Sequence, residues 1–157
     1  MIKKILVSTV ILAVSSNIAF ANEGSYVGAG FGIGSQAGIN IFAGYGERLK
    51  INPHLYIGSE LFLHNLSYSR VHNINHAIGA SLIPGVLLTP FTMVYTRVGI
   101  ERLHNGASHY SKNGAQLGLG LQTSVAKNWD VRTEYVYLTN INNKQFDVGL
   151  IYKFNNI

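Results

Sequence analysis

The chain has 157 residues, 47% of them hydrophobic and only 12% charged, with 17 glycines and no cysteine. That is one domain's worth of material, and the missing cysteine excludes a disulfide scaffold or a thiol site. The formal charge of +5 falls to +3 when Lys3 and Lys4 are set aside, and the basic residues are scattered, which argues for no nucleic-acid partner.

Residues 1–21 read as a cleaved signal peptide: Lys3 and Lys4 form the basic start, Ile5 to Ile18 the largely apolar middle, and Ala19-Phe20-Ala21 the small-x-small cleavage pattern. The domain boundaries that follow are 1–21 for this segment and 22–157 for the rest. Beyond residue 21 no run of about 18 apolar residues occurs, so a helical span is excluded. The membrane-compatible architecture that remains is a closed barrel, whose backbone polar groups all pair within the protein.

The first strand is expected over 26–34, with Val27, Ala29, Phe31 and Ile33 on one face and glycines on the other. Glycine weakens an ordinary strand, but here it leaves room for large side chains from other walls of a narrow barrel. After Ser35-Gln36, the second strand sets Ile39, Ile41, Ala43 and Tyr45 outward against Gly38, Asn40, Phe42, Gly44 and Gly46. A polar turn is expected at 47–53. The third strand, 54–64, has Leu55, Ile57, Leu61 and Leu63 outward, Ser59 as its one polar outward residue, and Tyr56, Gly58, Glu60, Phe62 and His64 inward.

Loop 65–75 precedes a fourth strand with Ile78, Ala80, Leu82, Val86 and Leu88 outward, where Pro84 predicts a bulge or a poorly paired position beside Gly85. A turn at 89–92 leads to the fifth strand, in which Val94, Thr96, Val98 and Ile100 alternate with Tyr95, Arg97, Gly99 and Glu101. Loop 104–114 then precedes the sixth strand, where Leu117, Leu119 and Leu121 oppose Gln116, Gly118, Gly120, Gln122 and Ser124. The turn 126–128 is tight.

The seventh strand alternates Trp129, Val131, Thr133, Tyr135 and Tyr137 with Asp130, Arg132, Glu134 and Val136. After 140–144 the last strand sets Phe146, Val148, Leu150, Tyr152 and Phe154 against Gln145, Asp147, Gly149, Ile151 and Lys153. The fold class is therefore all-β: an eight-stranded antiparallel up-and-down transmembrane β-barrel. An even strand count puts both chain ends on one side, the periplasmic one in bacterial barrels, with 47–53, 89–92 and 126–128 on that side. Tyr45, Trp129, Tyr137, Tyr152 and Phe154 are the candidate aromatic belts.

The inward register collects Glu60, Arg97, Glu101, Asp130, Arg132, Glu134, Asp147 and Lys153. Eight strands leave an interior just wide enough for side chains, which favours a salt-bridged plug over an ion-conducting path through the same charges. A one-residue slip would turn them to lipid at about 2–4 kcal/mol for each Arg or Lys near the midplane. His109-Tyr110-Ser111 with Asn113 loosely resembles the His-x-Ser-Asn pattern of lipid A deacylases, but Lys112 interrupts it and no acidic residue is near, so the expectation is a solvated loop and no enzyme. His72 and His76 could pair, yet a metal site needs three or four ligands, so no metal and no cofactor is expected. The other histidines, His54, His64, His104 and His109, read as surface or loop residues. A lipocalin-type soluble barrel would need the apolar faces inside and the charged, glycine-rich set outside.

Five stretches carry a family resemblance: Tyr26 to Gly34, Gly79-Ala80-Ser81-Leu82-Ile83-Pro84-Gly85, Tyr95-Thr96-Arg97-Val98-Gly99, Asn128-Trp129-Asp130-Val131-Arg132-Thr133-Glu134-Tyr135, and Gly149 to Phe154. In order and spacing the chain resembles the small outer-membrane β-barrel family that includes opacity-type and OmpA-like transmembrane domains. The resemblance implies a Gram-negative outer-membrane location, contact with outer-membrane lipid and lipopolysaccharide, and insertion by the outer-membrane assembly machinery. That machinery reads a terminal aromatic strand, and here Asn155-Asn156-Ile157 follow Phe154. A monomer is expected, with loops 65–75 and 104–114 as the places where a host surface ligand would bind.

Overall fold

The computed structural model describes residues 24–34, 38–65, 74–105, 111–139 and 142–154. Its strands are β1 (Gly24–Gly34), β2 (Gly38–Leu49), β3 (Asn52–Asn65), β4 (Ile74–Leu87), β5 (Thr92–Asn105), β6 (Ser111–Ala126), β7 (Trp129–Leu138) and β8 (Asn143–Lys153). Each pairs antiparallel with its neighbours in sequence, and β1 pairs with β8, which closes the barrel. The expected signal peptide lies outside the described residues.

Period two governs every wall. Isoleucines 39 and 41, leucines 61, 82, 117, 119 and 150, and Val98 and Ile100 are all exposed on the outer face. Their neighbours along each strand turn inward and are buried. A continuous apolar exterior has no counterpart in a soluble barrel, which removes the lipocalin-type alternative. No helix among the described residues is long and apolar enough to cross a membrane.

Inward glycines face rings directly across the ladder: Gly28 opposite Phe42, Gly44 opposite Tyr26, Gly79 opposite Phe62 and Gly120 opposite Tyr95. A Cβ on Gly44 would lie 2.7 Å from the Tyr26 ring and 2.6 Å from the Ser59 carbonyl oxygen. No described glycine has a positive φ. These glycines serve space, not backbone conformation.

Several boundaries differ from the expected ones. The turn at 47–53 shrinks to Lys50 and Ile51, with Asn52 Oδ1 accepting from the His54 N–H at 3.0 Å. Loops 65–75 and 104–114 lose residues at both ends to the strands, so His104, Ser111, Lys112 and Asn113 sit in the ladder. The cause is that backbone pairing continues past the membrane, where both faces are polar and the hydrophobic alternation fades. Pro84 makes no bulge. The β4–β5 ladder omits Ile83 and Pro84 but resumes at Gly85↔Tyr95 in unchanged register, because proline removes a donor without adding a residue.

The start of β1 and the end of β8 meet on the side of the short turns. The Phe154 N–H donates to the Ser25 carbonyl at 3.0 Å, and the Lys153 N–H to that of Asn128 at 2.8 Å. In the 88–91 turn, Thr89 Oγ1 accepts from the N–H groups of Phe91 and Thr92 at 3.2 and 3.0 Å.

Candidate functional site

The inward charges come from β3, β5, β7 and β8, and their long side chains meet where glycines leave room. Glu60 on β3 is the hub. Its carboxylate takes Arg97 Nη2 at 2.7 Å, Arg132 Nη1, and the Tyr26 hydroxyl at 2.8 Å. Arg97 also reaches Glu134 through Nε at 2.6 Å and donates to Ser81 Oγ at 2.8 Å. Both guanidiniums and both carboxylates are no more than about 5% exposed.

From Arg132 the network continues toward the turn side. Arg132 Nη2 donates to Gln122 Oε1 at 2.8 Å, Gln122 Nε2 donates to Asp130 Oδ2 at 2.6 Å, and Lys153 Nζ pairs with Asp130 Oδ1 at 2.8 Å. Lys153 also donates to Ser124 Oγ at 3.1 Å. A polar chain thus runs Glu134, Arg97, Glu60, Arg132, Gln122, Asp130, Lys153 through the lumen.

Asp147 and Glu101 complete the inward set. Asp147 accepts from Asn40 Nδ2 at 3.2 Å and from Gln145 Nε2 at 3.0 Å. Glu101 is buried on the inner face of β5, two inward positions beyond Arg97.

Rings complete the plug. The Arg132 guanidinium carbon lies 4.8 Å from the Phe42 centroid, 5.1 Å from Tyr95 and 5.8 Å from Tyr26, and Arg97 lies 5.9 Å from Phe62. A cation over a ring face is attracted by the ring quadrupole, and more so in a dry site. Toward the turns Ile83, Met93 and Tyr95 form an apolar cluster. At the opposite ends of β4, β5 and β7, the inward Ala77, Leu103, Val136 and Leu138 are buried as well. Apolar side chains thus pack on both sides of the Glu60–Arg97–Arg132–Glu134 cluster, while Gln122, Asp130 and Lys153 carry the polar chain past them to the turn-side mouth. Sequence reasoning missed this apolar packing, although Ile83 and Leu138 gave a signal as large aliphatics in the inward register.

On the outer face Trp129, Tyr152 and Phe154 stack edge-on at the turn side, with centroids 5.1 and 5.3 Å apart. Tyr45 stands beside Ser25 and Ser59 in the ladder. Tyr137 lies near the other end, its hydroxyl donating to Asn142 Oδ1 at 3.0 Å. Phe31, Tyr135 and Phe146, which the sequence reading left out of the belts, are also exposed there.

His64 is buried inside the barrel, 4.9 Å from the Phe62 ring, as its place in the inward register of β3 predicts, and it is not one of the surface histidines. His76 and His104 stack at 5.2 Å across β4 and β5, and His54 is exposed by its turn. His72, His109 and Tyr110 lie outside the described residues. Among the described residues no three His, Asp or Glu side chains are placed to hold a metal ion. The Ser111 hydroxyl accepts from Arg102 Nη2 at 3.1 Å.

No curated protein matches the sequence. Among solved structures, the chain is similar to Ail, the attachment invasion locus protein of Yersinia pestis, at 13% identity and a TM-score of 0.57, covering 86% of this chain and 100% of that one. It is similar to the N-terminal β-barrel domain of Pseudomonas aeruginosa OprF at 15% identity and a TM-score of 0.59, covering 85% and 98%. Neisserial surface protein A aligns at 16% identity and a TM-score of 0.51, again covering 85% and 98%. At such identities the likeness carries the fold alone. The model of the outer membrane protein beta-barrel domain matches residues 6–154, so the chain belongs to that family and resides in the outer membrane of Gram-negative cells.

Proposed function

We propose that this barrel is a sealed mount in the outer membrane that holds surface connections for contact with the environment, and that it is neither a pore nor an enzyme. The observation that carries the reading is the filled lumen, in which a buried ion-pair cluster centred on Glu60 is packed among rings and aliphatic side chains. A conducting path needs a continuous open, wet route, and a lumen packed with rings, aliphatic side chains and paired charges opposes one. The connections 66–73 and 106–110, outside the described residues, are the segments assigned to contact. Attachment is the first activity to test, since attachment is part of the printed name of Ail, one of the similar structures.

The test has two arms. Planar-bilayer recordings of the refolded chain should lack discrete steps, and steady openings would overturn the sealed reading. Shortening 66–73 and 106–110 should leave the heat-dependent gel shift of a folded barrel intact while abolishing adhesion of bacteria displaying the protein to cultured cells. Undiminished adhesion would remove the contact role.

A further inference from the structure

On the lipid-facing side of β2 to β5, small and large residues alternate in two adjacent rows of the ladder. Ala43, Ser59 and Ala80 are small, while Leu61, Leu82 and Ile100 stand up around them. The result is a concavity of about 450 Å³ with a largely apolar lining. Ser59 has no explanation in the lumen, because it faces outward. It is a small floor residue of this groove.

One outward-facing step beyond Ile100 along β5, about 7 Å away, the character of the surface changes. Arg102 and His104 are exposed there. Across the ladder His76 lies opposite His104, Ser111 opposite His104 and Asn113 opposite Arg102. The Arg102–Ser111 hydrogen bond holds the guanidinium over this rim. An apolar groove on the lipid-facing side thus ends at a cationic, donor-rich patch on the polar rim of the barrel.

We propose that this composite surface binds one lipid of the outer leaflet with a phosphate-bearing headgroup. An acyl chain lies in the groove over Ala43, Ser59 and Ala80, and the phosphate sits against Arg102, His104 and the Ser111 hydroxyl. The occupant follows from the surroundings: a concavity facing hydrocarbon is filled by hydrocarbon, and the planar guanidinium beside it matches phosphate oxygens. The inference rests on the barrel residing in the outer membrane and is independent of the contact role proposed above.

Native mass spectrometry of the chain refolded into phosphatidylcholine nanodiscs containing a minor fraction of bisphosphorylated lipid A tests it. The expected result is one retained lipid A per barrel in preference to phosphatidylcholine. Arg102→Ala should weaken retention about tenfold, as loss of a charge-assisted contact would, and Arg102→Lys should weaken it less. Ala80→Phe, which fills the groove and keeps every charge, should also reduce it. The heat-dependent gel shift reports folding for each variant, and a barrel trapped unfolded by Ala80→Phe is replaced by Ser59→Leu. Equal retention of both lipids, retention unchanged in Arg102→Ala and the groove-filling variant, or a protein dimer in place of bound lipid would overturn the proposal.

Discussion

Inside the barrel the inner faces of β1 and β2 offer glycines, two rings (Tyr26 and Phe42) and a single amide, Asn40, with Arg48 exposed at the rim, whereas those of β5 and β7 carry Arg97, Glu101, Asp130, Arg132 and Glu134. Neither wall would fill a narrow barrel alone. Glycines opposite each ring let the aromatics lie flat enough for Arg132 to reach across them to Glu60. The difference teaches that the uncharged wall makes the charged one affordable: it supplies space and ring faces, and the charged wall supplies length. Buried ion pairs bring little net stability by themselves, but a broken one is costly, because the remaining charge stays buried.

Removing the hub should therefore cost most. Glu60→Ala leaves Arg132 with no carboxylate partner, Arg97 with Glu134 alone and the Tyr26 hydroxyl unpaired, with an expected loss of about 3–5 kcal/mol in the urea unfolding of the refolded barrel. Adding Arg132→Met to that variant should restore part of the loss, whereas a further drop would contradict the account of a stranded charge. On the other wall, Gly44→Val pushes a side chain into the Tyr26 ring and the Ser59 carbonyl, with an expected loss of about 1–3 kcal/mol by the same measurement. Stability equal to the parent would mean that the rings have slack and that glycine is not needed for space. The smallest effect belongs to the lumen mouth: Lys153 is 28% exposed, and Lys153→Ala should cost below about 1 kcal/mol. A loss as large as that of Glu60→Ala would show that the polar chain acts as one cooperative unit.

Much of this arrangement was legible in the sequence because lipid imposes a strict rule on every second residue. The outward set from Val27 to Leu150 and the inward charges follow from alternation alone, and a slip would have put Arg97 and Arg132 into hydrocarbon. Which charge meets which was not legible. Glu60 and Arg132 are 72 residues apart, and their meeting depends on stagger around the barrel and on which glycines yield space. The ends of β5 and β6 were hidden for another reason. Arg102, His104, Ser111 and Asn113 keep the ladder going after the apolar signal stops, so a polar run reads as a loop while the backbone continues as a strand.

The β1–β8 seam sets the order of events in folding. Tyr26 and Lys153 are neighbours in space but stand 127 residues apart in the chain, so the seam is a contact of high order with a heavy loop-closure cost. Until β8 arrives, β1 and β7 both present bare edges, the kind of surface that recruits other strands. A chain cut before Asn143 should therefore aggregate or occupy a catalyst of insertion without release, and the last strand acts as the latch that frees the finished barrel into the bilayer.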